Sequence, residues 1–99
     1  MKGRQIKNGK LNGKIAVVTG ASKGIGAGIA KHLSAEGAAV VVNYGSDKRG
    51  ADRVVDEIGK RGGKAVAVQA NVTRRSEVQR LFAATEQAFG KIEDRKSVV

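Results

Sequence analysis

The strongest constraint on the fold is a short apolar run that leads directly into a glycine-rich turn. Residues 14–26 have the sequence Lys-Ile-Ala-Val-Val-Thr-Gly-Ala-Ser-Lys-Gly-Ile-Gly. Residues 15–19 are apolar at successive positions and end in a threonine, which is typical of a parallel strand buried on both faces. Beyond the turn, Ile25, Ile29 and Leu33 recur at helical spacing. The order of strand, turn and amphipathic helix predicts the first unit of an α/β sheet.

The glycines of this turn lie where a bound anion would approach the backbone. Gly20, Gly24 and Gly26 fall between the predicted strand and the predicted helix. Glycine adopts positive φ at little cost and leaves the backbone accessible to a phosphate. The free N–H groups at the start of the helix, with a partial charge of about +0.5, favour an anion there. We therefore expect a dinucleotide pyrophosphate at this turn.

The spacing of the glycines points to one family. Gly20-x-x-x-Gly24-x-Gly26 differs from the G-x-G-x-x-G of the commonest dinucleotide-binding fingerprint. Residues 19–26, Thr-Gly-Ala-Ser-Lys-Gly-Ile-Gly, resemble the T-G-x-x-x-G-x-G signature of the short-chain dehydrogenase/reductase family. The resemblance extends over residues 11–92. It implies an NAD(P)-dependent oxidoreductase that moves hydride between a nicotinamide and a carbonyl or alcohol carbon.

Two further strand-and-helix units follow along the chain. Residues 38–43 and 65–70 are short runs rich in alanine and valine, which favour buried strands. Residues 47–60 and 73–89 each have an apolar stripe at helical spacing, and the first helix is predicted to end near Glu36. The predicted fold class is α/β, a partial Rossmann fold with three layers and a parallel sheet. Its chain order is β-α-β-α-β-α, and its strand order is 3-2-1.

The predicted helices have recognisable ends and inward faces. Gly37 is expected to close the first helix, and Asp47 and Thr73 are expected to be the N-caps of the second and third. The predicted inward faces comprise Ala51, Val54, Val55 and Ile58 in the second helix and Val78, Leu81, Phe82, Thr85 and Phe89 in the third.

The end of the second predicted strand bears on the choice of cofactor. NAD-preferring proteins usually have an acidic residue there, which binds the ribose 2′-hydroxyl. By the resemblance this position falls at Tyr44, and neither Asn43 nor Tyr44 is acidic. Lys23 matches a position where many NADP-preferring members of the family have a basic residue. The resemblance therefore implies NADP, with NAD the less favoured alternative. Further donors from the following loop are Ser46, Lys48 and Arg49.

The third strand is followed by Asn71-Val72, where the family commonly has Asp-Val. In the family the acid accepts a hydrogen bond from the adenine amino group, and an asparagine carbonyl can still do so. The resemblance thus places the adenine near Asn71 and Val72. The full set of predicted cofactor-binding residues is Gly20, Ser22, Lys23, Gly24, Ile25, Gly26, Asn43, Tyr44, Ser46, Asn71 and Val72.

One pair of residues imitates a catalytic motif. Tyr44 and Lys48 have the Y-x-x-x-K spacing of the family's proton-transferring pair. In the family that pair lies on a helix after the fifth strand, near the nicotinamide, whereas Tyr44 follows the second strand on the adenosine side. We therefore predict no catalytic residue in this chain. The family's catalytic serine, tyrosine and lysine would all follow Val99, so the fragment itself is expected to be inactive.

Composition limits the classes of function that remain open. The net charge is +10 over 99 residues, so an anionic partner is favoured, and cysteine is absent, which excludes thiolate metal sites. His32 has no second ligand at metal spacing, and no metal is predicted. Without a long apolar run or a signal peptide, a cytoplasmic protein with no membrane partner is expected. The resemblance implies a small carbonyl or alcohol substrate and a homo-oligomeric parent, a tetramer or dimer.

Two other functions remain open. A basic nucleotide- or nucleic-acid-binding module would use the same turn and charge, although the basic leader has no aromatic residues to stack on bases. A regulatory half-domain could instead pair its sheet edge with a full-length relative.

The ends of the chain differ from the middle. We predict a flexible basic leader over residues 1–12, the N-terminal half of a dinucleotide-binding domain over 13–92, and a non-native tail over 93–99. The tail is charged where the family continues with apolar residues, so we expect the reading frame to have been cut, by sequencing-adapter sequence or by a natural frameshift. The outer edge of the first strand would then be unpaired, which favours aggregation.

Overall fold

The computed structural model describes residues 11–90 and the backbone of residues 97 and 98. Within them, strands and helices alternate along the chain. The elements are β1 (Ile15–Val18), α1 (Gly24–Ala35), β2 (Ala39–Tyr44), α2 (Lys48–Lys60), β3 (Lys64–Gln69), α3 (Arg75–Phe89) and β4 (Ser97–Val98).

The strands form one parallel sheet in the order β3-β2-β1-β4. β2 pairs with β3 from Ala39 opposite Lys64 to Tyr44 opposite Gln69. β1 pairs with the first part of β2, with Ile15 opposite Ala39. The predicted α/β fold class and the strand order 3-2-1 are confirmed, and each predicted element is present with bounds shifted by one or two residues.

The fourth strand contradicts the expectation for the outer edge of β1. Ser97 lies opposite Ile15 and Val98 opposite Ala16, both in parallel register. The charged residues of the tail predict that it does not form a strand at this central position. An exposed strand edge offers unpaired N–H and C=O groups to any extended segment that reaches it, and valine has a high preference for strands. The other residues of the predicted tail, and residues 1–10 of the predicted leader, lie outside the described part.

The core lies on both faces of the sheet. On the first face, α1 and α2 cover alternate residues of β1 and β2, in a cluster that includes Val40, Val42, Val54 and Ile58. On the second face, α3 covers a smaller cluster of Val17, Val41, Ala70 and Leu81.

Helix α1 packs through small residues, contrary to the expectation from its isoleucines. Its buried side chains are Ala27, Ala30 and Ser34, whereas Ile25 is 84% exposed and Ile29 44% exposed. Helical spacing located the stripe of large apolar residues, but the face that meets the sheet is that of Ala27, Ala30 and Ser34, and of the stripe Leu33 packs against the core.

Helices α2 and α3 differ in how they begin. Asp47 is the N-cap of α2, as predicted, and its Oδ1 accepts a 3.0 Å hydrogen bond from the Gly50 N–H. The N-cap of α3 is Arg74, with no side-chain cap. The predicted cap, Thr73, instead donates through both its N–H and its Oγ1 to Asn71 Oδ1, over 3.0 and 2.6 Å. The asparagine forms a local turn that competes with the cap.

The remaining predictions for the helices are confirmed in part. Gly37 has the left-handed φ of 102° expected at a helix end. In α2 the predicted inward face is confirmed, with Ala51, Val54 and Ile58 buried. In α3 Leu81 and Thr85 are buried, but Phe82 is 39% exposed. None of the described helices has the length and apolar character needed to cross a membrane.

Candidate functional site

The glycine-rich turn lies at the carboxyl end of β1 and opens directly into α1. Gly20 and Gly24 have φ values of 61° and 63°, in the left-handed region, and a side chain at either would project into open space. Both positions need glycine for their backbone conformation, and the missing side chains leave the backbone of the turn uncovered. An uncovered backbone at the start of a helix is a candidate site for an anion.

Gly26 serves a different purpose from the other two glycines. A Cβ atom at Gly26 would overlap the Gly20 carbonyl oxygen and lie 3.0 Å from the Ala21 Cα. The first turn of α1 is therefore packed directly against the loop that precedes it. This close approach fixes the direction of the helix axis relative to the turn.

The start of α1 is open to an anion. The N-cap, Lys23, has an extended backbone and makes no side-chain cap, and its carbonyl accepts from the Ala27 N–H over 3.3 Å. The first N–H groups of an α-helix have no partner within the helix. Here they face the turn together with the positive end of the helix dipole.

Asn43 lies behind the turn and is 2% exposed. Its Oδ1 accepts from the Gly20 N–H at 3.4 Å, and its Nδ2 donates to the carbonyls of Val68 and Ala70 at 3.2 and 3.3 Å. Its own carbonyl accepts from the Ala21 N–H at 2.9 Å. The side chain predicted to contact cofactor is thus directed into the protein.

The residues predicted to select the cofactor lie at or after the end of β2, except for Lys23, which is the N-cap of α1. Tyr44 is only 8% exposed and packs in the core of the first face. Ser46, Arg49 and Lys23 are exposed. Lys48 is also exposed, but its Nζ lies 2.7 Å from Asp52 Oδ2, and this hydrogen bond raises the pKa of Lys48. Because Lys48 is paired with Asp52, the better candidates to contact a phosphate are Ser46, Arg49 and Lys23.

The loop after β3 is held by side chains that the sequence analysis did not single out. Glu77 Oε1 accepts from the Asn71 N–H at 2.7 Å, and this bond, aided by Arg80, lowers the pKa of Glu77. Gln69 Nε2 donates to the Gly45 carbonyl at 3.0 Å, which links this loop to the one after β2. An acidic residue in the first turn of a helix was the available signal, since Glu77 is the third residue of α3.

Two of the predicted residues lie on the surface of this loop. Asn71 is exposed and Val72 is 42% exposed. Both Thr73 donors converge on Asn71 Oδ1. The Asn71 amide group thereby directs its acceptor towards the loop and leaves its Nδ2 as the outward donor, so the predicted acceptor role at this position is not the one the geometry favours.

Gly50 also contributes to the site without having been predicted. It is buried in the first turn of α2, and a Cβ there would approach the Ser22 carbonyl oxygen to 2.6 Å. The start of α2 therefore packs directly against the glycine-rich turn. A glycine in the first turn of a helix was the sequence signal for this contact.

The segments that contain the predicted site residues thus lie at one end of the sheet, although the side chains of Asn43 and Tyr44 are buried. The turn after β1, the end of β2 and the loop after β3 all lie at the carboxyl ends of parallel strands. Ligands of open α/β sheets bind outside these ends. Among the described residues there is no group of His, Cys, Asp and Glu that could hold a metal ion.

Comparison with known proteins identifies the family. The family model for short chain dehydrogenases matches residues 14–93. The chain therefore belongs to the short-chain dehydrogenase family.

Individual relatives agree with this assignment. An uncharacterized oxidoreductase of Methylorubrum extorquens is 60% identical over 84 residues, which are 85% of this chain and 34% of that protein. The hydroxynaphthalene reductase-like protein Arp2 of Metarhizium guizhouense is 53% identical over 83 residues, 84% of this chain and 31% of that protein. This chain thus spans about a third of the length of these relatives.

A solved structure shows the same architecture. The landomycin C-6 ketoreductase LanV, described with bound NADP and rabelomycin, superposes with a TM-score of 0.76 at 39% identity. The match covers 85% of this chain and 36% of that one. The turn, the sheet and the helices described above are therefore those of the family's N-terminal part.

Proposed function

We propose that this chain forms the NADP-binding part of a short-chain dehydrogenase that transfers hydride between the nicotinamide and a carbonyl or alcohol substrate. The observation that carries the proposal is the uncapped start of α1 behind Gly20 and Gly24, both in the left-handed conformation. NADP supplies the hydride chemistry when bound, and the described residues supply its binding surface.

The described residues fit the dinucleotide. The backbone from Gly20 to Gly26 would hold the pyrophosphate, with the exposed Ile25 beside it. Lys23, Ser46 and Arg49 are free to meet a 2′-phosphate. The nearest carboxylate after β2 is Asp47, and it is occupied by the Gly50 N–H. This hydrogen bond leaves the carboxylate charged, so the support for NADP over NAD comes from Lys23 and Arg49, whose exposed positive charges would attract a 2′-phosphate. Asn71 and Val72 would line the adenine.

The chain by itself is expected to bind nucleotide without transferring hydride. Tyr44 and Lys48 have the spacing of a catalytic pair, but Tyr44 is buried in the core and Lys48 is paired with Asp52. We further propose, from the family resemblance, a cytoplasmic location and a homo-oligomeric parent.

The test is the difference in affinity between 2′,5′-ADP and 5′-AMP, measured by calorimetric titration of the full 99-residue chain. We expect 2′,5′-ADP to bind about tenfold more tightly, which corresponds to about 1.4 kcal/mol. In Lys23→Ala the two ligands should approach equal affinity.

Lys60→Ala is the matched control, because it removes the same charge from the far end of α2. Its ratio of affinities should equal that of the wild type. Equal affinity for both ligands in the wild type would contradict the NADP assignment. Tighter binding of a single-stranded oligonucleotide, lost as salt rises, would favour the nucleic-acid-binding alternative.

A further inference from the structure

The carboxamide of Asn43 joins three segments that are distant in sequence. Its partners are the N–H of Gly20 in the turn after β1 and the carbonyls of Val68 and Ala70 at the end of β3. All three are backbone atoms, and the residue is 2% exposed. One side chain on β2 thus connects the glycine-rich turn after β1 to β3, which lies at the edge of the sheet.

The chemistry of these contacts requires a carboxamide. One acceptor must face an N–H while two donors face carbonyl oxygens, and among short side chains only asparagine offers both. An aspartate of the same shape would direct a carboxylate oxygen at two carbonyls. An alanine would leave the Gly20 N–H and both carbonyls without this partner, and an unpaired buried polar group is costly.

These contacts direct the Asn43 side chain into the protein, whereas the sequence predicted a contact with the cofactor. Its Oδ1 and Nδ2 both bond to backbone groups of the protein. The Gly20 N–H that Asn43 holds belongs to a residue in the left-handed conformation that shapes the turn.

We propose that Asn43 is a positioning residue for the phosphate-binding turn, which it fixes in its binding conformation by anchoring Gly20 to the end of β3. This inference rests on the proposed function for the identity of the ligand, but the anchoring itself is a property of the free protein. It predicts that loss of the carboxamide changes the turn before any ligand is added.

The first measurement is amide hydrogen exchange at Gly20 in the ligand-free full chain, compared between wild type and Asn43→Ala. We expect exchange at Gly20 to accelerate by about tenfold or more, since its hydrogen bond would be lost. The Ala21 N–H is an internal control, because its acceptor is the backbone carbonyl of residue 43. Unchanged exchange at Gly20 would overturn the proposal whether or not the chain binds NADP.

The second measurement is the affinity for 2′,5′-ADP in Asn43→Asp at pH 8 and pH 5.5. At pH 8 the carboxylate faces two carbonyl oxygens, and we expect binding to weaken about tenfold or more. We expect burial and the facing carbonyls to raise the pKa of the introduced carboxyl group. The lower pH should therefore favour its protonated form, which donates one hydrogen bond and restores part of the affinity.

Thr85→Val is the control for a general loss of stability. Thr85 is fully buried, and its Oγ1 donates to the Leu81 carbonyl at 2.9 Å, on α3 and away from the turn. This variant should keep wild-type affinity at both pH values. Equal weakening in Thr85→Val, or full affinity in Asn43→Asp at pH 8, would show that Asn43 does not position the turn. Absence of 2′,5′-ADP binding by the wild type would contradict the proposed function alone, and the exchange measurement would still decide the role of Asn43.

Discussion

The two faces of the sheet differ in how completely their side chains are buried. On the first face, α1 and α2 cover β1 and β2, and side chains such as Val40, Val42 and Ile58 are almost completely buried. On the second face the described cover is α3, around a small cluster with Leu81 at its centre. Phe82 on the same helix is 39% exposed.

The first face also contains glycines that leave no room for a side chain. A Cβ at Gly63 would lie 2.8 Å from the Ile58 Cγ2, and Gly26 contacts the turn directly. On the second face the larger side chains Val66, Val68 and Phe89 are only partly buried. Small residues allow close approach and leave little room to relax, whereas the half-buried valines and phenylalanine of the second face can shift.

Truncation of one core residue on each face tests this contrast most strongly. Ile58 is 2% exposed and Leu81 is 1% exposed, so the two lose comparable surface. We expect Ile58→Ala to lower the free energy of unfolding by about 3–4 kcal/mol and Leu81→Ala by about 2–3 kcal/mol, because a cavity costs more where its walls cannot collapse.

Urea denaturation followed by circular dichroism gives both values on one scale. The m-values should stay equal to that of the wild type, so that the comparison concerns stability alone. A larger loss in Leu81→Ala than in Ile58→Ala would show that the second face is the more rigid of the two.

The second prediction uses two glycines of the same helix. Gly26→Ala places a methyl group against the Gly20 carbonyl oxygen, and overpacking of this kind should lower the free energy of unfolding by about 2 kcal/mol. Gly28 is exposed within α1, and a Cβ there meets no atom within 4 Å. Gly28→Ala should therefore raise stability by about 0.5–1 kcal/mol, because alanine is the better helix former.

Thermal unfolding of the two variants beside the wild type distinguishes the contributions. Both substitutions add the same methyl group to the same helix, so propensity cancels in their difference. Equal melting temperatures for the two variants would show that the close contact between α1 and the turn does not limit the stability of the first face.

The sequence was sufficient wherever the determining interactions are local. The apolar runs located β1, β2 and β3, and the amphipathic stripe with Asp47 before it located α2 and its buried face. The glycine spacing placed the left-handed residues Gly20 and Gly24. Each of these features depends on neighbours within one or two turns of the chain.

The sequence was insufficient where contacts between distant parts of the chain decide the structure. Periodicity marks apolar positions but not which face of a helix meets the sheet, so Ile25 and Ile29 were expected on the apolar face, yet both are exposed. The partners of the Asn43 side chain are 23 to 27 residues away, and no local pattern reveals them. The pairing of Ser97 and Val98 with β1 likewise depends on an open edge and not on the pattern of the tail.

The last and smallest effect concerns how the start of α3 is held to the loop that precedes it. Glu77 accepts from the Asn71 N–H at 2.7 Å, and this contact, with the nearby Arg80, lowers the pKa of Glu77 in the folded chain. A carboxyl group whose pKa is lowered by folding adds stability above its unfolded pKa of about 4.3, and that contribution is lost as the pH falls through the lower folded value. The chemical shift of the Asn71 amide proton, followed by NMR from pH 6 to pH 3, should therefore titrate below pH 4.3 in the wild type. Glu77→Gln keeps an acceptor oxygen without a titrating proton, so its Asn71 signal should stay nearly constant over the same range. Because Glu77 is a partly exposed side chain, we expect only the start of α3 to loosen as the pH falls, while the cluster around Leu81 remains folded. Simultaneous loss of the NMR signals of Leu81 would mean that this hydrogen bond limits the stability of the whole second face.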